Sequence, residues 1–174
     1  MFIINLITKR LFSVLIPIFL TACYDADNKA TSKQVTPQQT NIPVLEVYKT
    51  PTCGCCRKWI SHLEENGFHT VAHNRNNLSS LKAEKGVKPH FQSCHTSISR
   101  DGFVFEGHIP AKYIQKFLAE KPEGAIGLAV PAMPLGSPGM EAGGRFSPYA
   151  VLILMADGSS KPYAQIETLQ EQYQ

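Results

Sequence analysis

Three thiols fall within four residues, Cys53, Cys55 and Cys56, inside the stretch TPTCGCCRKW. Crowding of this kind is not core filling. Thiolates are nucleophiles and soft metal ligands, so the segment suits disulfide formation, electron exchange or metal capture. Cys53 and Cys56 have the spacing that lets two sulfurs converge across the first turn of a helix, and they are the candidate redox pair. Exchange needs only two thiols. Cys55 would invite scrambled disulfides in an exchanger, whereas in a metal site a third thiolate is an asset. A fourth sulfur, Cys94, sits in QSCHT with His95 beside it, and His108 sits in EGHIP. Met133 and Met140 lie in a Gly- and Pro-rich segment that offers no regular apolar face for a thioether to serve, so their sulfurs are candidate donors. Thiolate and thioether donors favour Cu(I), and imidazole suits copper and zinc. His62, His69, His73 and His90 have no such partner nearby in sequence and read as surface residues.

These residues need elements to position them. VLEVY (44–48) alternates apolar and polar residues and reads as a strand. The thiol cluster follows, and then Trp59, Ile60 and Leu63 recur at helical spacing, with Gly67 as the stop. FHTVAHN is a second strand and NLSSLKAEKG a short helix. CHTSIS and FVFEGH are two strands joined by a turn at Arg100-Asp101-Gly102. Pro110 opens a helix that ends near Lys121-Pro122. Residues 127–146 form a Gly- and Pro-rich loop, and loops of that length are usually functional or disordered. YAVLILM and KPYAQI, around Asp157-Gly158, read as a C-terminal hairpin. A helix after each of the first two strands predicts parallel pairing there, with right-handed crossovers.

At a helix N-terminus, free N–H groups and the helix dipole favour negative charge, so thiols placed there ionise more readily. The βαβαββα order over residues 42–122 resembles a thioredoxin-like domain, with Cys53–Cys56 at the first strand-to-helix junction, where such domains carry their active pair. That resemblance implies that the entrance to the third strand faces the thiols. The family has a cis-proline there that helps to dock peptides. In this sequence Ser93-Cys94 takes that place and the nearest proline is Pro89. The resemblance therefore sets Cys94 opposite the cluster and favours coordination over exchange. Neighbouring strands lie ~4.8 Å apart, which brings His108 near as well. Alternation along a regular strand puts Cys94 and His95 on opposite faces, so His108 is the preferred histidine and His95 joins only if the entrance is irregular.

The N-terminus pairs Lys9 and Arg10 with an apolar run and then LTAC at 20–23. A basic region, an apolar stretch too short to span a bilayer comfortably and small residues make a secretory signal over 1–22. LTAC resembles a lipobox, in which cleavage precedes Cys23 and its sulfur carries lipid. Acyl chains contribute ~0.8 kcal/mol per buried methylene, enough to anchor the protein to a membrane. Residues 23–41 are polar and read as a flexible tether, 42–166 as the folded domain and 167–174 as a polar tail. The 174-residue chain carries a formal charge of +3, and loss of Lys9 and Arg10 leaves +1. That balance, without a basic stripe interleaved with aromatics, excludes nucleic acid as a partner. Tyr24, not Asp, follows Cys23, which by resemblance to other lipoproteins points to the outer membrane, facing the periplasm.

TPTCGCCRKW, SCHT, EGHIPA, GLAVPAMPLGSPGME and PYAVLIL, in that order, are similar to the CopG-type copper-handling family, otherwise known as a metal-binding domain of unknown function. The resemblance runs from about 44 to 166. It implies a thioredoxin-like periplasmic domain of copper resistance or trafficking. It also implies copper held by Cys53, Cys55, Cys56 and Cys94, with His108 and with His95, Met133 and Met140 as further donors. Periplasmic copper-handling proteins are the implied partners. On chemistry alone, four cysteines would also suit a closed zinc site. Adjacent Cys55 and Cys56 fit more easily if their sulfurs bridge several Cu(I) ions. The alternative function is a thiol-disulfide or copper-dependent oxidoreductase working through Cys53 and Cys56.

Overall fold

The structure, a computed structural model, describes residues 42–173. The signal over 1–22 and the whole 23–41 stretch with Cys23 lie outside the described residues, as does Gln174. The chain is a mixed α/β fold. In order it forms β1 (Val44–Lys49), α1 (Gly54–Glu65), β2 (His69–Asn74), α2 (Ser79–Glu84), β3 (His95–Ser99), β4 (Val104–Glu106), α3 (Ala111–Glu120), β5 (Ala125–Ala129), β6 (Tyr149–Met155) and β7 (Ser160–Ile166). Short 3-10 turns occupy Pro89–Phe91 and Gln170–Gln172. Among the described residues no helix is long and apolar enough to cross a membrane.

All seven strands join one sheet in the order β2-β1-β3-β4-β5-β6-β7. Strand β1 pairs with β2 in parallel, as a strand-helix-strand unit requires. The expected parallel pairing does not extend to β3, which lies antiparallel against β1. The reason is where the second crossover begins and ends. Asn74, the last residue of β2, and His95, the first of β3, both pair with Lys49. The segment carrying α2 therefore starts and finishes at one end of the sheet, and the next strand has to run back.

A second difference is β5. The sequence reading places 127–129 in the long loop, but Ala125–Ala129 is a strand, parallel to β4 and antiparallel to β6. Two of its five residues are glycine or a partly exposed alanine, so no β-branched run announces it. Neighbours on both sides hold it in place. The C-terminal hairpin thus continues the sheet through β5.

Alternation along the strands divides the interior in two. On one face Leu45, Val47, Phe105, Leu128, Val151 and Ile153 meet Trp59 and Leu63 of α1 and Ile114 and Phe117 of α3. On the other, Val104, Ala129 and Leu154 meet Val87 and Phe91 beside α2. Burying a large side chain of this kind contributes ~1.5–3 kcal/mol, so the first face holds most of the fold's apolar stabilisation. The polar C-terminal stretch packs back onto the domain. Buried Gln172 accepts a hydrogen bond from the Tyr149 hydroxyl at 2.6 Å and donates one to the Gly136 carbonyl at 3.0 Å.

Candidate metal centre

Helix α1 begins at the thiols. Cys53 is its N-cap, and the Cys53 sulfur accepts from the Cys56 amide at 3.3 Å. Cys53 and Cys56 are joined as a disulfide, with Cα atoms 5.4 Å apart, while Cys55 and Cys94 are free. Cys94 lies one residue before β3. Its Sγ stands 3.4 Å from Cys56 Sγ and 3.9 Å from Cys55 Sγ, and Cys55 Sγ is 3.5 Å from Cys53 Sγ. All four sulfurs fall within 4.8 Å of one another. Four thiolates at ~2.3 Å from a central ion would stand ~3.8 Å apart, close to the separations of 3.4, 3.5 and 3.9 Å found outside the bonded Cys53–Cys56 pair. The disulfide is the oxidised form of that donor set, and its reduction returns two of the four ligands.

Two imidazoles complete the centre. His108 Nε2 is 3.1 Å from Cys94 Sγ, and His95 Nδ1 is 3.4 Å from the same sulfur. Cys94, His95 and His108 form a second group within 4.8 Å. The sequence sets Cys94 and His95 on opposite faces of a regular strand. Here Cys94 stands outside the β3 ladder, so both donors reach one place. His108 Nδ1 lies 2.7 Å from the Pro138 carbonyl, to which it donates as N–H. That bond leaves the Nε2 lone pair aimed at the sulfurs, the usual way a second contact fixes a metal-binding tautomer. His95 is pinned by packing. Its ring lies 4.2 Å from that of Trp59 and 5.0 Å from that of His108, and its Nε2 is buried with no hydrogen-bond partner among the described residues.

Burial sets the electrostatics. It lowers His108 below 6.5 and His95 well below, the latter also because a proton there would be repelled by Lys82 and by His108 whenever that ring is protonated. Both rings are therefore neutral near pH 7, the form that binds metal. Burial, followed by repulsion from Cys55, pushes the Cys94 thiol up to about 12. A cation must displace that proton before the sulfur can ligate it.

The Gly- and Pro-rich segment covers the centre. Gly139, at φ 85°, rests so close to α1 that a Cβ there would stand 2.6 Å from the Cys55 carbonyl and 2.8 Å from the Trp59 amide. Met140 follows and is half-buried; Met133, farther back in the segment, is 49% exposed. Gly107, at φ 77°, allows a comparable approach beside Ser93, where a Cβ would meet the Val130 carbonyl at 2.4 Å. Of the histidines read as surface residues, His69 and His90 are exposed. His62 departs from that reading. It is half-buried, and its Nε2 accepts from the Ala111 amide at 3.0 Å, capping α3 from α1. His73 is also half-buried, against Tyr48 and Glu46.

The sequence reading missed several residues that shape the centre. Trp59 Nε1 donates to the Ile109 carbonyl at 2.8 Å and ties α1 to the corner that carries His108. Lys82 and Glu106 form a buried ion pair behind Ser93. Glu106 left one trace, a carboxylate inside the apolar run FVFEG. Lys82 left none.

These features define a class: a mixed α/β protein with a sulfur-rich, histidine-flanked cluster at the mouth of a helix whose donors could hold a metal ion. The family described as "Protein of unknown function, DUF411" matches residues 91–140. Two solved structures, forms 1 and 2 of a copper resistance protein CopG, are similar along most of their length. Form 1 is 41% identical, with a TM-score of 0.66, covering 71% of this chain and 96% of that one. Form 2 is 40% identical, with a TM-score of 0.67, covering 71% and 98%. No curated protein matches. At that identity and coverage, the chain belongs to the CopG family.

Proposed function

We propose that the protein binds copper as Cu(I) through Cys53, Cys55, Cys56 and Cys94, with His108 as a nitrogen donor, and serves copper resistance or trafficking in the bacterial cell envelope. One observation carries the reading. Cys94, 38 and 39 residues beyond Cys56 and Cys55, brings its sulfur 3.4 and 3.9 Å from theirs and 3.1 Å from His108. The similarity to copper resistance proteins supports copper as the metal. Four sulfurs and the nitrogens of His95 and His108 exceed the four donors a tetrahedral ion takes, which supports capacity for more than one ion. Met140, on the segment seated against α1, and Met133 are auxiliary thioether donors in this reading.

The order β2-β1-β3-β4, with β3 antiparallel to β1, supports a thioredoxin-like core extended by β5, β6 and β7. LTAC supports a lipid on Cys23 and attachment to the periplasmic face of the outer membrane, where other copper-handling proteins are the partners. Cys23→Ser should release the protein from membrane fractions.

The test of the metal is direct. Anaerobically reduced protein given excess Cu(I) should show thiolate-to-copper absorption in the ultraviolet and retain copper on desalting. Stoichiometric zinc held against excess Cu(I) would overturn the copper assignment. A second reading, a thiol-disulfide or copper-dependent oxidoreductase, is favoured by the Cys53–Cys56 disulfide at the start of α1. In the thiol form of that reaction a partner dithiol becomes a disulfide, and the protein pair takes up its two electrons and two protons. Cys55→Ser separates the two readings. Copper capacity should fall while exchange through Cys53 and Cys56 persists; lost exchange with unchanged capacity reverses the preference.

A further inference from the structure

Behind the metal centre, on the opposite face of the sheet, two charged side chains meet out of water. Lys82 of α2 is 4% exposed and Glu106 of β4 is 0% exposed, and they form an ion pair. Such a pair is weak evidence for stability, because apolar residues of similar volume commonly serve a core as well or better. What distinguishes this pair is its third partner. The Ser93 amide donates to Glu106 Oε1 at 2.6 Å, and the Ser93 carbonyl accepts from Lys82 Nζ at 3.1 Å. Both main-chain polar groups of one residue are gripped by one ion pair. Thr96 locks the grip: its hydroxyl donates to Glu106 Oε2 at 2.6 Å and accepts from Lys82 Nζ at 3.0 Å.

The residue after Ser93 is Cys94. It stands before the first ladder pair, Lys49 with His95, so regular strand pairing does not fix it. From the other side the Ser93 hydroxyl donates to the Ala132 carbonyl. To share an ion with several other donors, the Cys94 sulfur must keep its position to about 0.5 Å, and precision of that order comes from groups that hold the first ligands still.

We propose that Lys82 and Glu106 are positioning residues: their buried pair clamps the Ser93 main chain and so holds the Cys94 sulfur at the Cys53–Cys56 cluster. The consequence for copper rests on the proposed function; the positioning itself does not.

The test needs a readout free of metal. In a Cys23→Ser, Cys53→Ser, Cys55→Ser background, Cys56 and Cys94 are the remaining thiols. Their Sγ atoms stand 3.4 Å apart in the native chain. Glutathione disulfide can oxidise them to one bond, taking the two electrons and two protons as two glutathione thiols. The equilibrium gives the effective concentration of one thiol at the other. Lys82→Met with Glu106→Leu, in a variant that still unfolds cooperatively, should lower that effective concentration by about tenfold or more. If the double variant does not fold, Glu106→Gln decides, since it keeps the shape, removes the charge and turns one of the two acceptor oxygens, shared between Ser93, Lys82 and Thr96, into an N–H2 donor. A fall of at least about threefold supports the clamp, and a smaller change in a folded variant overturns it. In the chain with all its cysteines, the same substitutions should weaken Cu(I) binding against a competing chelator. A wild-type chain that binds no Cu(I), together with a lowered effective concentration, would defeat the copper reading and leave the clamp standing.

Discussion

Burial decides the protonation of the donors one residue at a time. A thiol held up to about 12 and two imidazoles held below 6.5 make Cys94 a proton-bearing candidate donor beside two whose lone pairs are free of protons near pH 7. The same physics acts outside the centre, at His62. Burial lowers its pKa below 6.5 against the opposing pull of Glu141 and Glu65. The folded state prefers the neutral ring, whose Nε2 accepts from the Ala111 amide. A base with a depressed folded pKa contributes stability that is full above its unfolded value, 6.5, and is lost as pH falls from there through the folded value. The native protein should therefore lose urea stability more steeply than His62→Gln as pH falls below 6.5. At this scale much of the centre was legible. Soft donors declare themselves by type, so Cys53, Cys55, Cys56, Cys94 and His108 could be named. The Pro138 carbonyl that fixes the His108 tautomer could not, because a main-chain acceptor has no sequence signal.

Elements set the distances between those residues. Helix α1 was readable from Trp59, Ile60 and Leu63, and its first turn places three cysteines together by local geometry alone. The covering segment was readable as a loop but not as a lid, since its seat depends on Gly139 meeting α1. Gly139→Ala tests that seat. The added methyl would have to push the segment off the Cys55 carbonyl and strain a positive φ. The Pro138 carbonyl would move with it and release His108. Displacing such a supporting contact costs roughly 10–100-fold in metal affinity, measurable by chelator competition. Strand β5 was missed because its small residues carry no strand pattern, and the direction of β3 because two crossovers that look alike in sequence finish at opposite ends of the strands, the first beside Val44 and the second beside Lys49.

Across the whole molecule, the last residues reach back to the centre's cover. Gln172 bridges the Tyr149 hydroxyl of β6 and the Gly136 carbonyl of the covering segment. Removing a buried partner leaves polar groups unsatisfied at about 1–3 kcal/mol, so Gln172→Ala should lower stability by that amount in urea unfolding. Hydrogen exchange over residues 131–146 should quicken in the same variant. An unchanged midpoint with unchanged exchange would mean that the C-terminal turn is only draped on the surface. The sequence by itself determined the donor inventory, the cluster at a helix start, most of the strands and the family, because each is written in residue type, spacing or short-range period. Tertiary structure alone decided that Cys94 and His95 share one approach, that Lys82 and Glu106 meet behind Ser93, and that β3 runs against β1. Those outcomes join residues as distant in sequence as Leu45 and Ser99, where packing of the whole sheet, and no local preference, selects the partner.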